Sequence, residues 1–292
     1  MSRAQPDVDR ARDFVLRNAR LLDRKRLAFV LGDDPGPAPV LDALYAYRNA
    51  DGGFGNALEP DLRATSSQPH AAELALRVMA EVGHVDDEVA TGLCDWLMTV
   101  TTPEGGVPFG LPSAEGEPHA PWWRVGPDPP ANLNPTAAIA GLLHHLEVDH
   151  PWRETATGFC WRAIEAGGQP DEPHAFIATL LFLEHVRDRD RAGSALALVG
   201  RRLFEAGHVT LDPRAEGYVH RPLDLVPGPG SLGARLFDPA SLDEELDVLA
   251  SRQLEDGGWP ITWEPPSEAA VYEWRGAVTV AALRTLGRWG RL

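Results

Sequence analysis

The sequence predicts an all-α protein, a two-layered α/α barrel of inner and outer helices. Three observations predict it. Helical periodicity runs through most of the chain, and no alternating strand of useful length interrupts it. Successive helices alternate between two kinds, one apolar nearly all round and one amphipathic. The connections alternate too: turns after apolar helices are short (83–87, 148–151, 187–190) and loops before them are long (49–68, 101–133, 255–268). In an antiparallel barrel, every long loop then emerges at the end that holds the N-termini of the inner helices. Long loops in compact domains are usually functional, which places the working face there.

Each element has its own warrant. Residues 8–30 place Phe14, Val15, Leu22 and Leu27 among charges, and 36–48 carry Val40, Leu41, Leu44 and Tyr45. Stretch 69–82 is apolar; 87–100 is amphipathic, with Val89, Leu93, Trp96 and Leu97 on one side. The alternation continues with 134–147 apolar, 151–165 amphipathic and 173–187 apolar. Residues 175–183 contain only one polar side chain, Thr179. Stretch 190–205 follows. In 240–254, Leu242, Leu246 and Leu249 oppose Asp243, Glu244, Glu245 and Asp247, which reads as a wet outer face. Stretch 269–288 is the last, with an apolar centre at 277–283. The expected inner layer is 69–82, 134–147, 173–187 and 276–287. Residues 207–238, rich in Pro and Gly, fall where another inner helix is due, as a gap or a lid. One closed barrel uses residues 1–292, so a single domain is expected.

Composition bounds the function. The chain has 292 residues, 43% hydrophobic and 24% charged, which suits a folded domain. Its net charge of −16 argues against nucleic-acid binding, which needs clustered Lys and Arg. Cys94 and Cys160 make neither a disulfide framework nor a zinc-binding pair. Residues 1–10 lack the apolar core of a signal peptide, and no apolar run approaches the length of a membrane span. A soluble cytoplasmic protein is expected.

A short motif recurs in the long loops. Arg48-Asn49-Ala50-Asp51-Gly52-Gly53-Phe54 matches Gln253-Leu254-Glu255-Asp256-Gly257-Gly258-Trp259, and Glu104-Gly105-Gly106-Val107-Pro108-Phe109 is a weaker copy. A helix ends, the glycines reverse the chain through positive φ, and an aromatic side chain plugs the seam between hairpins. The motif resembles the glycine–aromatic repeat of the terpenoid cyclase and protein prenyltransferase superfamily, with Arg48 replacing the glutamine in the first copy. The resemblance implies one α/α toroid covering the whole chain, similar to small bacterial prenyltransferase or squalene-cyclase repeat proteins. The chemistry of those enzymes does not carry over. The Asp-x-Asp-Asp acid of the cyclases is missing, since Val85-Asp86-Asp87 lacks the first Asp. Neither cysteine follows an Asp at the spacing of the zinc-binding pair, and no Asp-rich helix face for magnesium is evident. No metal and no cofactor are expected.

The candidate site residues lie in the long loops. Glu59 and Asp61, with Asn56 and Arg63 beside them, are two close carboxylates whose pKa values an apolar cavity would split into acid and base. His119 is a proton carrier near neutral pH, and Trp122, Trp123 and Arg124 follow it as an aromatic wall with a cation. His220 and Arg221 lie in the irregular segment; Glu273, Trp274 and Arg275 open the last inner helix. Asp61, Glu59, His119 and Glu273 are the expected catalytic residues. Trp122, Trp123, Arg124, His220, Arg221, Trp274 and Arg275 are the expected ligand contacts. Of His144 and His145, one reads as a packing residue and neither as a metal ligand. The expected ligand is a small apolar or isoprenoid molecule held in the barrel. Two alternatives stand beside it: a carbohydrate-active enzyme, since paired carboxylates and Trp platforms suit sugars, and a non-catalytic scaffold.

Overall fold

The structure is a computed structural model, and it describes residues 4–167 and 172–292. Among the described residues it holds twelve α-helices and no strand. In chain order they are α1 (Val8–Asn18), α2 (Leu21–Val30), α3 (Ala38–Tyr45), α4 (Pro69–Val82), α5 (Asp87–Thr99) and α6 (Leu133–His145). Then come α7 (Pro151–Glu165), α8 (Pro173–His185), α9 (Arg189–Glu205), α10 (Pro222–Leu225), α11 (Pro239–Ser251) and α12 (Glu268–Arg288). Proline sits in the first turn of α4, α7, α8, α10 and α11, where its missing N–H costs no helical bond. No described helix is long and apolar enough to cross a membrane.

The chain divides into two compact units. One is continuous, Leu44–Ala206; the other joins the chain up to Ala43 with Gly207–Leu292.

In the continuous unit α6 packs on α4, α7 and α8, while α5 and α9 both pack on α7. Helices α4, α6 and α8 thus form one layer, and α5, α7 and α9 the other. The all-round apolar sequence of α6 explains its place: every residue from Leu133 to His144 is buried. A side chain on Gly141 would meet the α8 backbone at 2.7 Å from the Leu181 carbonyl, so glycine sets the closest approach of the two helices. His144 is the one packing histidine expected of the pair, and His145 is exposed. Burial pushes the His144 imidazole down to about 4, and His145 lies against the His185 ring at 4.3 Å.

In the discontinuous unit α12 packs on α1, α2 and α11. Val280, Leu283 and Leu286 are buried with Phe14, Val15, Leu27, Leu246 and Trp259. The single helical stretch expected over 8–30 is two helices. Ala19 and Arg20 between them are extended. The reason is packing: a Cβ on Gly276 of α12 would lie 2.5 Å from that of Ala19, and the bend lets α1 and α2 both reach α12. Residues 207–238 hold only α10 and a short 3-10 turn at Leu232–Leu236.

The wet face expected on α11 needs one correction. Glu245 is 4% exposed, and burial pushes its carboxyl up to about 7. Asp243 and Asp247 instead reach Arg291.

The two thiols are buried, and burial pushes both up, Cys94 to about 12. A thiolate is the reactive form. Native protein is therefore expected to give no reaction with a colorimetric disulfide reagent within minutes, and two equivalents per chain in guanidinium. Prompt labelling of the native chain would contradict the burial.

Candidate functional site

The three glycine motifs fold into the same turn. Asn49, Thr102 and Leu254 each donate a backbone N–H to the carbonyl of Gly53, Gly106 and Gly258, at 2.9 Å in every case. Gly52, Gly105 and Gly257 close the turn with φ of +92°, +90° and +94°. The acidic residue steadies it: Asp51 and Asp256 each accept the N–H of the second glycine. Phe54, Val107 and Trp259 fill the seam, all at most 1% exposed. Each turn docks on a helix, Gly52 on Gly92 of α5, Gly105 on Thr155 of α7 and Gly257 on Arg10 of α1. The residue four places before the first of each glycine pair reaches the start of that helix. Gln253 exchanges two hydrogen bonds with the Asp7 backbone, Arg48 lies 3.8 Å from Glu88, and Thr101 accepts the Trp152 indole N–H.

The loops before α4 and α6 join. Leu62 bridges His119, Arg63 donates to the Pro118 carbonyl, and Ala120 donates to that of Asp61. Leu62, Ala64, Ala114, Ala120 and Trp123 form one buried cluster with Phe109 against it. Glu59 and Asp61 are both buried, and the Asp61 N–H lies 3.4 Å from Glu59 Oε1. His119 is half-buried with Nδ1 2.8 Å from the Ala120 carbonyl. The continuous wall expected from Trp122 and Trp123 is not formed. Trp123 is buried; Trp122 is 47% exposed and Arg124 is exposed as well. The two tryptophans share one 3-10 turn, whose three residues per turn send neighbours to different sides.

Around Trp123 the structure assembles groups that were not singled out in the sequence. Phe109 stacks on Trp123 at 4.7 Å and 16°. His70, in the first turn of α4, packs edge-on against both rings, at 4.7 and 4.9 Å. Its Nδ1 lies 3.4 Å from Glu73 Oε2, and its Nε2 is buried without a hydrogen-bond partner. Glu73 is fixed by Arg77, with Nε at 2.8 Å and Nη2 at 2.7 Å. Burial alone would raise the Glu73 carboxyl, but Arg77 and His70 outweigh it and hold the group down at about 2. A second carboxylate–histidine pair stands at the start of α8. Glu172 Oε1 lies 3.2 Å from His174 Nδ1 and accepts from Asn134 Nδ2 of α6 at 3.0 Å. Burial acts to raise Glu172; its two hydrogen bonds and the charge of His174 and His70 lower it overall. The N-termini of α4, α6 and α8 thus carry two histidines backed by ionised carboxylates, one of them under an aromatic cover.

In the discontinuous unit the expected residues divide. His220 and Trp274 join an aromatic group with Tyr218 and Trp263. Glu273, beside Trp274 on α12, is half-buried. Arg221 and Arg275, expected to bind ligand, are engaged by the protein. Arg221 is buried and donates to the carbonyls of Ala215 and Val219. Arg275 makes a two-pronged pair with Asp256 of the glycine turn at 2.7 and 2.8 Å and covers the Phe14 ring. Among the described residues no group of three or more His, Cys, Asp or Glu side chains is placed to hold a metal ion.

No family model matches the chain, and no curated protein matches it. A crystal structure of a protein from Actinoplanes is similar over 96% of this chain and 98% of that one, with a TM-score of 0.60 and 18% identity. The likeness is one of fold.

Proposed function

We propose that the chain is an α/α-toroid protein, similar to the terpenoid cyclases and protein prenyltransferases. It binds a small apolar or isoprenoid molecule at the N-termini of α4, α6 and α8 and moves a proton there through His70. The layering of α4, α6 and α8 against α5, α7 and α9, and the docked glycine turns, support the toroid. The observation that carries the chemistry is the His70–Glu73 pair against Phe109 and Trp123.

Glu73 stays ionised at neutral pH and accepts from His70 Nδ1–H, which makes Nε2 the basic nitrogen. When Nε2 takes a proton from the ligand, Glu73 stabilises the imidazolium, and the same nitrogen returns the proton later in the cycle. Phe109 and Trp123 exclude water and give an apolar ligand its contact surface. Buried Glu59 and Asp61 belong to the adjoining loop. Sugar hydrolysis is served less well by the carboxylates that back these two histidines. It needs one carboxyl kept protonated, and Glu73 and Glu172 are both held below the ordinary carboxylate range.

The test is calorimetric titration with isoprenoid diphosphates, isoprenoid alcohols and neutral oligosaccharides, followed by turnover of whichever binds. An isoprenoid is expected to bind, and His70→Gln is expected to keep binding and lose about 100-fold or more in turnover. Binding of sugars alone, or full turnover by His70→Gln, would overturn the reading.

A further inference from the structure

The discontinuous unit carries an aromatic constellation that the proposed chemistry does not use. Tyr218 comes from the irregular segment after α9, Trp263 from the loop before α12, and Trp274 from the second turn of α12. Tyr218 and Trp263 meet at 5.9 Å and 84°, Trp263 and Trp274 at 5.1 Å and 84°. The three rings therefore stand as consecutive walls at right angles. His220 braces the outer one, at 5.4 Å and 77° from the Tyr218 ring.

These rings are not core. Trp152 and Trp259 are 1% exposed, whereas Tyr218 is 52% exposed and Trp263 and Trp274 are half-buried. Leaving large aromatic surface partly wet forfeits hydrophobic stabilisation. Part-exposed rings at right angles offer something a flat apolar patch does not. Each ring face is electron-rich, so perpendicular faces direct negative potential into one corner. A bare metal ion or a primary ammonium would have to shed tightly held water to enter. A methylated ammonium sheds little, and its methyl groups pack on the rings. Carboxylates lie close by in space or in sequence. Asp224 lies 3.9 Å from His220, and Glu264 and Glu273 adjoin Trp263 and Trp274 in the chain. The arginines next in sequence are directed elsewhere: Arg221 to the carbonyls of Ala215 and Val219, Arg275 to Asp256.

We propose that Tyr218, Trp263 and Trp274 form a cage that binds a trimethylammonium group. The group is carried by a free small molecule or by a methylated lysine side chain. This inference does not depend on the His70 reading, because all of its residues lie in the other unit.

Calorimetry on the full chain tests it with three probes: choline, a trimethyllysine peptide with its unmethylated counterpart, and 3,3-dimethylbutanol, the uncharged isostere of choline. Choline or the methylated peptide is expected to bind, and whichever binds names the source. The uncharged isostere is expected to bind at least about tenfold more weakly, which isolates the contribution of charge. Tyr218→Ala removes an exposed wall and is expected to weaken binding about fivefold or more without moving the melting temperature. Trp263→Phe keeps a ring in place and is expected to weaken binding less than Tyr218→Ala. Equal binding of the isostere, unchanged binding by Tyr218→Ala, or no binding of either cation would each overturn the cage.

Discussion

Gly257→Ala is expected to destabilise the protein by about 3–5 kcal/mol. Two effects add. The residue has φ of +94°, where an L side chain is strained, and a Cβ would lie 2.1 Å from the Arg10 carbonyl oxygen of α1. That neighbour is helix backbone and cannot rotate away. Gly52→Ala should behave alike, since its Cβ would meet the Gly92 carbonyl oxygen at 2.4 Å. Gly83→Ala is the control. It shares positive φ, at +66°, but has no neighbour within 4 Å, so only the backbone cost of about 1–2 kcal/mol remains. Denaturant melts of the three variants separate the two effects. Equal losses at Gly83 and Gly257 would show that turn conformation matters and docking does not.

The second large effect concerns pH. Glu73 has a folded pKa of about 2 against an ordinary 4.5. A depressed carboxylate contributes stability that is present above its unfolded pKa and is lost as pH falls towards the folded value. The window is thus about pH 4.5 down to about pH 2. The contribution is on the order of 2–3 kcal/mol, reduced from the full linkage value because Arg77 is partly exposed and screened. Glu73→Gln should lose that much at pH 7 and show a flatter stability profile between pH 5 and pH 2. Measuring unfolding free energy across that range checks it. A variant with the same acid slope as the wild type would place the acid-sensitive group elsewhere.

The fold was legible where burial writes itself into composition. Stretch 133–144 has hardly a charge and is wholly inside, and the glycine turns were readable because positive φ leaves a residue signature. The site was legible only in part. Arg275 reads as a ligand contact because its partner Asp256 is nineteen residues away and belongs to the turn motif. Trp122 and Trp123 are adjacent in sequence, yet the tight 3-10 turn separates them. His70, Glu73 and Arg77 did carry a signal: with Glu81 they are polar residues at helical spacing on a helix otherwise apolar. Glu172 and Asn134 carried none, since each resembles an ordinary residue at a helix start. Only the convergence of α6 and α8 gives them a shared role.

The division of the chain sets a timetable for biosynthesis. Residues 44–206 form a unit that is complete once its own stretch has left the ribosome. Helices α1 and α2 are made well before α12, the helix on which they pack. At typical synthesis rates of about 5–20 residues per second they wait roughly 10–50 s for that partner. During the wait Phe14, Val15, Leu22 and Leu27 have no native surface to cover them, although all four are at most 2% exposed in the finished fold. The two helices therefore become native only after α12 has been made. A holdase that recognises α1 and α2 would protect this unit during the wait.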